Sequence, residues 1–242
     1  MKLSIVIPTY NERQNIGILV PQLEEEFSGK YKKSFEIIVV DDNSPDGTPK
    51  SVLSLGKKYG NVRLILRKKK EGIGSALNDG YRNARGDLIL STDADLSFDV
   101  KDMLRLISKI EEGYDLVVGS RHLSRQDYDK PNLESKVKGF ISRYGNILVR
   151  NISGVDINDF SANFRAIRKN VLRQLNLKDN TNSVLMEMIL KTKYRGYRVA
   201  EIRIKFIDRK YGKSKLNLAK EMPKFFFKLI YHTIRCRILK AD

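Results

Sequence analysis

The chain is poor in the residues that build most metal and nucleophilic centres. It has one cysteine, Cys236, and two histidines, His122 and His232. A single cysteine rules out an internal disulfide and fits a reducing compartment. Two isolated histidines leave no His-based zinc site and no Ser-His-Asp triad. Neither G-x-G-x-x-G nor G-x-x-x-x-G-K-[ST] occurs, and Gly72-Ile73-Gly74 has no third glycine at the required spacing. Dinucleotide and P-loop folds therefore lack their fingerprints. No apolar run approaches the ~18–20 residues that span a bilayer. The run from Leu3 to Ile7 is too short for the apolar region of a signal peptide and reads as a first strand. Acids are the other shortage, with 29 Asp and Glu against 46 Lys and Arg, a net charge of +17. That balance implies an anionic partner: nucleic acid, a membrane surface or a phosphorylated substrate. The densest basic run, Arg67-Lys68-Lys69-Lys70, reads as a solvated loop.

What is present suits a folded α/β globule. The 242 residues are 41% hydrophobic, enough for a sizeable core. Strand patterns at 3–7, 35–40, 62–66, 87–92 and 115–118 alternate with helix patterns at 16–27, 72–85 and 99–112. Asn11 reads as the cap of the first helix, and residues 41–48 as a turn that starts the second. Strands alternating with helices mean βαβ units and a mainly parallel sheet. Beyond Ser120 the pattern weakens. Residues 121–140 read as a long polar loop into a helix near 135–151, followed by a short segment at 156–164. A helix at 182–194, a strand at 197–205 and a basic loop at 208–215 complete this part. In 216–240, Phe225, Phe226, Phe227, Tyr231 and Ile234 alternate with Lys224, Lys228 and Arg235. This is either an interfacial membrane helix or a terminal core helix with a basic outer face.

The chemistry gathers at strand ends. Leu88-Ile89-Leu90 runs into Asp93-Ala94-Asp95, two carboxylates spaced i, i+2. In an extended segment that spacing puts both on one face. At the carboxyl edge of a parallel sheet they would meet ligand. Two such acids repel unless a cation lies between them, and a divalent ion carrying substrate phosphates is one answer. A solvated turn is the other. The first strand ends at Pro8-Thr9-Tyr10-Asn11-Glu12 and the second at Asp41-Asp42, along the same expected edge. Glu12, Asp42 and the Asp93/Asp95 pair could serve base, ribose and diphosphate in turn.

These segments, with Gly72-Ile73-Gly74, Gly119-Ser120-Arg121 and residues 208–215 (Asp-Arg-Lys-Tyr-Gly-Lys-Ser-Lys), resemble the inverting glycosyltransferases of family 2. Within them the chain is similar to the dolichyl-phosphate mannose synthase group. The resemblance implies a GT-A fold, a Rossmann-like mainly parallel sheet flanked by helices. It implies a catalytic domain at 1–215 and an amphipathic, membrane-interfacial helix at 216–242. It places Pro8, Tyr10, Glu12, Val40 and Asp42 around the nucleotide. Asp93, Ala94 and Asp95 fall on the metal and diphosphate motif. Ser97 stands where some members carry a glutamine ligand. Arg121 falls between donor and acceptor phosphate, and Arg209 and Lys215 on a loop that closes over the diphosphate. Lys136, Lys138 and Arg143 are the candidates for an acceptor-side cation.

The implied reaction is metal-dependent (Mg²⁺ or Mn²⁺) transfer of a hexose to a polyisoprenyl phosphate. Mannose from GDP-mannose is the expected donor sugar. The alternatives are a UDP-glucose-dependent enzyme with the same lipid acceptor, or another family 2 glycosyltransferase that extends a saccharide. The setting implied is peripheral, on the cytoplasmic face of a membrane. Relatives often carry transmembrane segments or use a membrane partner subunit. A phosphate monoester, with its second pKa near ~6, needs no general base, which suits a chain with few histidines and many cations. The contrasting class, a basic nucleic-acid-binding module, expects exposed aromatics among Lys and Arg. The one such cluster is the C-terminal helix, and its aliphatic face suits lipid better, so no nucleic-acid partner is expected.

Overall fold

Strand β1 (Leu3–Thr9) is buried along its whole length. Leu3, Ile5 and Ile7 enter one apolar cluster and Val6 the other, the two-residue period of a strand covered on both faces. β2 (Phe35–Asp41) repeats this, with Ile37 and Val39 on one side and Ile38 and Val40 on the other. The computed structural model describes residues 2–31, 34–123, 133–207 and 218–238, apart from the side chains of 133–138, 218–224 and 237–238.

The remaining strands are β3 (Val62–Leu66), β4 (Leu88–Ser91), β5 (Leu116–Ser120), β6 (Arg165–Arg168) and β7 (Val199–Arg203). The helices are α1 (Arg13–Tyr31), α2 (Thr48–Tyr59), α3 (Ile73–Asn83), α4 (Val100–Glu111), α5 (Leu133–Ser153), α6 (Lys169–Leu175), α7 (Val184–Tyr194) and α8 (Leu218–Thr233). The last runs into a π-helical turn, Ile234–Ile238. The seven strands lie in the order β3-β2-β1-β4-β6-β5-β7. All neighbours pair in parallel except β6, which runs antiparallel to both β4 and β5. The carboxyl ends of the other six strands and the amino end of β6 therefore share one edge. The mainly parallel α/β sheet flanked by helices is the architecture expected from the alternation.

Residues of α1 and α4 fill the first cluster; α3, α6 and α7 fill the second, joined by Leu229 of α8. Burial of each such side chain stabilises by roughly 1.5–3 kcal/mol. Asp99 caps α4 by accepting from Lys101 N at 2.9 Å, worth about 1 kcal/mol. Gly80 lets α3 lie against the sheet, since a Cβ there would stand 2.3 Å from Val6 Cγ1.

Two local expectations are corrected. Asn11 is not the cap of α1: it sits in the left-handed region (φ 57°), and Glu12, whose carbonyl accepts from Ile16 N, holds that position. β6 and α6, residues 165–175, fall where no element was expected. Arg-Ala-Ile-Arg is four residues with a charge at each end, and a strand of this kind forms because two neighbours supply its ladder.

Candidate active site at the carboxyl edge of the sheet

The loops leaving β1 and β2 are tied together. Asp41, fully buried, accepts from Thr9 Oγ1 at 2.8 Å and from Ser44 N and Oγ at 2.7 Å each. Asp46 accepts from the first amides of both α1 and α2, Arg13 N at 3.1 Å and Thr48 N at 2.9 Å. It thereby satisfies helix-end donors that no intrahelical partner can reach. Asp42 behaves differently. Its Oδ1 pairs with Arg67 Nη1 at 2.6 Å, and its Oδ2 accepts from Glu71 N at 3.1 Å and Gly72 N at 2.8 Å. Arg67 also meets Asp79 at 3.1 Å, Glu71, and the hydroxyl of Ser75. One nearly buried guanidinium is thus ringed by three carboxylates. Breaking such a pair by removing one partner costs about 3–5 kcal/mol. Beside it, Lys70 Nζ lies 4.0 Å from the centre of the Tyr10 ring.

β4 stops at Ser91, so Asp93 and Asp95 stand on a loop beyond its end. That loop bends sharply. Asp95 Oδ1 accepts from Ser97 N at 3.1 Å, and Leu96 between them has φ 61°. A left-handed leucine stores about 1 kcal/mol or more of strain, of a kind that gathers at functional sites. Ala94 is buried in the first cluster. The loop entering β6, residues 158–163, then joins β4 to β5. Asn163 Nδ2 donates to Asp93 Oδ1 at 3.0 Å. Asp159 takes Arg121 in a two-pronged pair, Nε at 2.7 Å and Nη2 at 2.9 Å. Glu201 of β7 pins this loop by accepting from the amides of Asn158 and Asp159, both at 2.9 Å.

Charge is held firmly here. Burial would raise the Asp159 carboxyl, but the charge and hydrogen bonds of Arg121 outweigh it and hold it far below the usual carboxylate range. Burial pushes the Arg165 guanidinium down to about 10, although Tyr81, Asp159 and Asp93 pull upward. Arg165 is wholly enclosed and donates to the carbonyls of Ala162 and Leu185. Next to Arg121, a cavity of about 190 Å³ is lined by His122, Arg143, Asn146 and Arg150.

Residues 4–175 match the model of the glycosyl transferase family 2 domain. The chain belongs to glycosyl transferase family 2. It is 35% identical over 97% of its length to a dolichol-phosphate mannosyltransferase of Pyrococcus furiosus, spanning 63% of that protein. It is 31% identical over 97% to an undecaprenyl-phosphate 4-deoxy-4-formamido-L-arabinose transferase of Yersinia enterocolitica, spanning 67% of it. The chain thus covers about two thirds of the length of these curated relatives. Its fold is that of glucosyl-3-phosphoglycerate synthase from Mycobacterium tuberculosis, solved with Mn²⁺, UDP and phosphoglyceric acid. The TM-score is 0.70, at 18% identity over 96% of this chain and 77% of that one. The same enzyme has been solved with Mg²⁺ and UDP.

Of the residues expected to form the family 2 site, the edge carries Tyr10, Glu12, Asp42, Asp93, Ala94, Asp95, Ser97 and Arg121. Pro8 and Val40 pair across β1 and β2 just below it. The proline stands beyond the β1–β4 ladder, which ends at Val6, where its missing N–H leaves no gap. Asp93 and Asp95 are not held on one face of a strand, because the strand ends before them. Arg209 and Lys215 lie outside the described residues. Four residues escaped notice. Arg67 belongs to a basic run whose sequence suggests a solvated loop, yet it is 8% exposed. Asp159, Asn163 and Arg165 follow no strand signal, and nothing local marks them.

The residues present fit a divalent cation. Asp93, Asp95 and Ser97 offer oxygens only, the donor set of a hard ion. Ser97 Oγ is buried without a hydrogen-bond partner among the described residues, as a ligand oxygen would be. Among the described residues no three acidic, His or Cys side chains cluster tightly enough to hold a metal alone.

Proposed function

We propose that this family 2 protein transfers a hexose, mannose from GDP-mannose, to a polyisoprenyl phosphate with inversion at the anomeric carbon. The observation that carries this reading is the loop before β6. It links the acids after β4 to the cations after β5, so a donor's diphosphate and an acceptor's phosphate would meet across the two strand ends that flank β6. The named activities of the two curated relatives, one dolichol-phosphate and one undecaprenyl-phosphate, support the acceptor class.

Glu12, Tyr10, Pro8, Val40 and Asp42 would hold base and ribose, with Arg67 fixing Asp42. Asp93 and Asp95, with Ser97, would hold a Mg²⁺ or Mn²⁺ ion. When bound, that ion supplies charge neutralisation for the leaving diphosphate. Arg121, fixed by Asp159, presents its charge between the two phosphates. Arg209 and Lys215 would add cations over the donor. The acceptor phosphate oxygen forms the new bond to the sugar as the bond to the diphosphate breaks. No proton has to be removed, since the phosphate is already ionised near pH 7. Arg143, beside the cavity at Arg121, is the described candidate for the acceptor side.

The acceptor is a lipid, and the surface suits one. Phe226, Phe227, Tyr231 and Ile234 of the C-terminal helix are exposed, as are Phe140, Tyr144, Ile147 and Leu148 of α5. Arg235 stands among them, and Lys228 lies at the margin with its ammonium turned to Asp179. This is the composition of a helix that lies in a membrane interface. The opposite side of α8 buries Leu229 and His232. No described helix is long and apolar enough to cross a membrane. We read residues 216–242 as the interfacial element of a peripheral protein on the cytoplasmic face of a membrane, with a membrane partner subunit compatible with that placement.

The experiment is transfer to a short-chain polyprenyl phosphate, with GDP-mannose and UDP-glucose supplied separately with Mg²⁺ or Mn²⁺. Metal-dependent mannosyl transfer is expected. Turnover only with UDP-glucose would move the donor assignment, and turnover with neither would overturn the reading.

A further inference from the structure

The loop between α6 and α7, residues 176–183, faces two ways. Asp179 turns its side chain toward α8. Its Oδ2 accepts from Lys228 Nζ and His232 Nε2, each at 3.2 Å. These two residues, four apart, lie on one helix face. Its Oδ1 accepts from Thr181 N at 2.8 Å and Oγ1 at 2.6 Å. The carboxylate is wholly buried. Burial would raise its pKa, but His232, Thr181 and Lys228 outweigh that and hold it ionised. Glu187 of α7 fixes the start of the loop by accepting from the amides of Lys178 and Asp179.

The main chain of the same loop faces α3. Asp179 O accepts from Asn78 Nδ2 at 2.9 Å, and Asn180 O accepts from Ser75 N at 3.0 Å. A Cβ on Gly74 would fall 2.0 Å from Thr181 O, so the glycine is what permits the approach. The first turn of α3 in turn holds the nucleotide end of the edge. Gly72 N donates to Asp42, and Ser75 Oγ receives Arg67. Every step from α8 to Asp42 is thus a hydrogen bond or a main-chain contact. The α8 end of this path borders a cleft of about 540 Å³ lined by residues of the loop, α7 and the helix, among them Phe227, Tyr231 and Arg235. Among the described residues α8 is seated by Leu229 in the second cluster and, on the side facing the loop, by the contacts of Lys228 and His232 to Asp179. Loss of those contacts therefore frees that side of the helix.

We propose that Asp179 is a positioning residue that couples the seating of α8 to the Asp42–Arg67 pair, and through it to nucleotide affinity. None of Asp179, Lys228 and His232 belongs to the proposed donor site, so they act through α3. The inference rests on the reading of Asp42 as a nucleotide-binding residue. Coupling of this kind is reciprocal. If releasing α8 weakens nucleotide binding, bound nucleotide strengthens the seating of α8 by the same factor.

The test is a double-mutant cycle read as Kd for GDP and, in parallel, UDP, each with Mn²⁺. The variants are Lys228→Met, His232→Gln, Asn78→Ala and the pairwise combinations of each α8 change with Asn78→Ala. Circular dichroism melting is recorded for all of them. Each single change is expected to weaken binding about five- to tenfold. Each combination is expected to weaken it no further, because both members cut one path. Lys228 is 41% exposed, so its variant keeps the test alive if His232→Gln does not fold. Unchanged Kd in the α8 variants, or losses that multiply in the combinations, would overturn the coupling. Asp42→Asn in the otherwise native chain separates the two ideas. A Kd unmoved by Asp42→Asn sinks the donor reading itself. A Kd weakened by Asp42→Asn but unmoved by the α8 variants sinks only the coupling.

Discussion

Two arginine–aspartate pairs stand at the edge of the sheet, and they differ in what surrounds them. At β2 and β3, Arg67 is one cation facing Asp42, Glu71 and Asp79. At β5 and β6, Asp159 is one anion facing Arg121, with His122 4.0 Å away and Arg143 and Arg150 lining the cavity beside it. Farther out, Lys69 and Arg82 face Glu71 and Asp79, and Arg150 pairs with Asp156. In immediate contact, the first gathers acceptor oxygens around one guanidinium and the second gathers cations around one carboxylate. Hydroxyls and base N–H groups need the former, and phosphates need the latter. On the proposed reading the same kind of buried pair would serve opposite ends, with Asp93 and Asp95 between them.

The comparison predicts graded effects. Asp95→Ala removes an oxygen from the middle of the edge and should lower transfer about 1,000-fold while the fold persists. Turnover and a circular dichroism melt read this together, and retained turnover would remove Asp95 from the chemistry. Asp159→Asn should destabilise the fold by about 3 kcal/mol, because a half-buried Arg121 loses its partner. Denaturant unfolding measures that, and a change under 1 kcal/mol would mean Arg121 finds water or another acceptor. Arg67→Lys keeps the charge but loses the fork that reaches several oxygens at once. Its expected effect is roughly tenfold weaker nucleotide binding, about 1.4 kcal/mol, by calorimetric titration, with no change in binding of a phosphate-bearing acceptor. Equal losses for both ligands would erase the distinction between the two pairs.

The smallest effect is on pH dependence. Asp159 and Asp179 have folded-state pKa values well below their unfolded ones. Each contributes stability that is complete above about pH 4 and is lost as the pH falls below it. Glu201, raised by burial, acts in the opposite sense just above that range. Melting temperature should fall most steeply below about pH 4, and Asp159→Asn should flatten that slope. An unaltered slope would mean the acid sensitivity arises elsewhere.

Much of this edge was legible along the chain. The alternation of buried runs with helical spacing marks β1 to β5 and α1 to α4. Glu12, Asp42, Asp93 and Asp95 stand out because each follows such a run closely. The partners were not legible. Arg67 finds Asp42 across 25 residues, Arg121 finds Asp159 across 38, and Asn163 finds Asp93 across 70. Arg67 stood in a run of four basic residues and looked solvated, yet it turned inward while Lys69 stayed out at the surface. The helix 216–240 left two options open because an amphipathic pattern does not say what covers either face. Folded, α8 sets Leu229 and His232 against the core and leaves Phe227 and Tyr231 outside.

Periodicities of two and 3.6 residues arise within a few neighbouring residues, so sequence suffices to read alternating strands and helices and the acids at their ends. Which arginine meets which carboxylate, and that an antiparallel β6 wedges between β4 and β5, depend on segments far apart in the chain. Those choices follow from the sheet's strand order and from the penalty for burying a charge unpaired, and both exist only once the chain has folded.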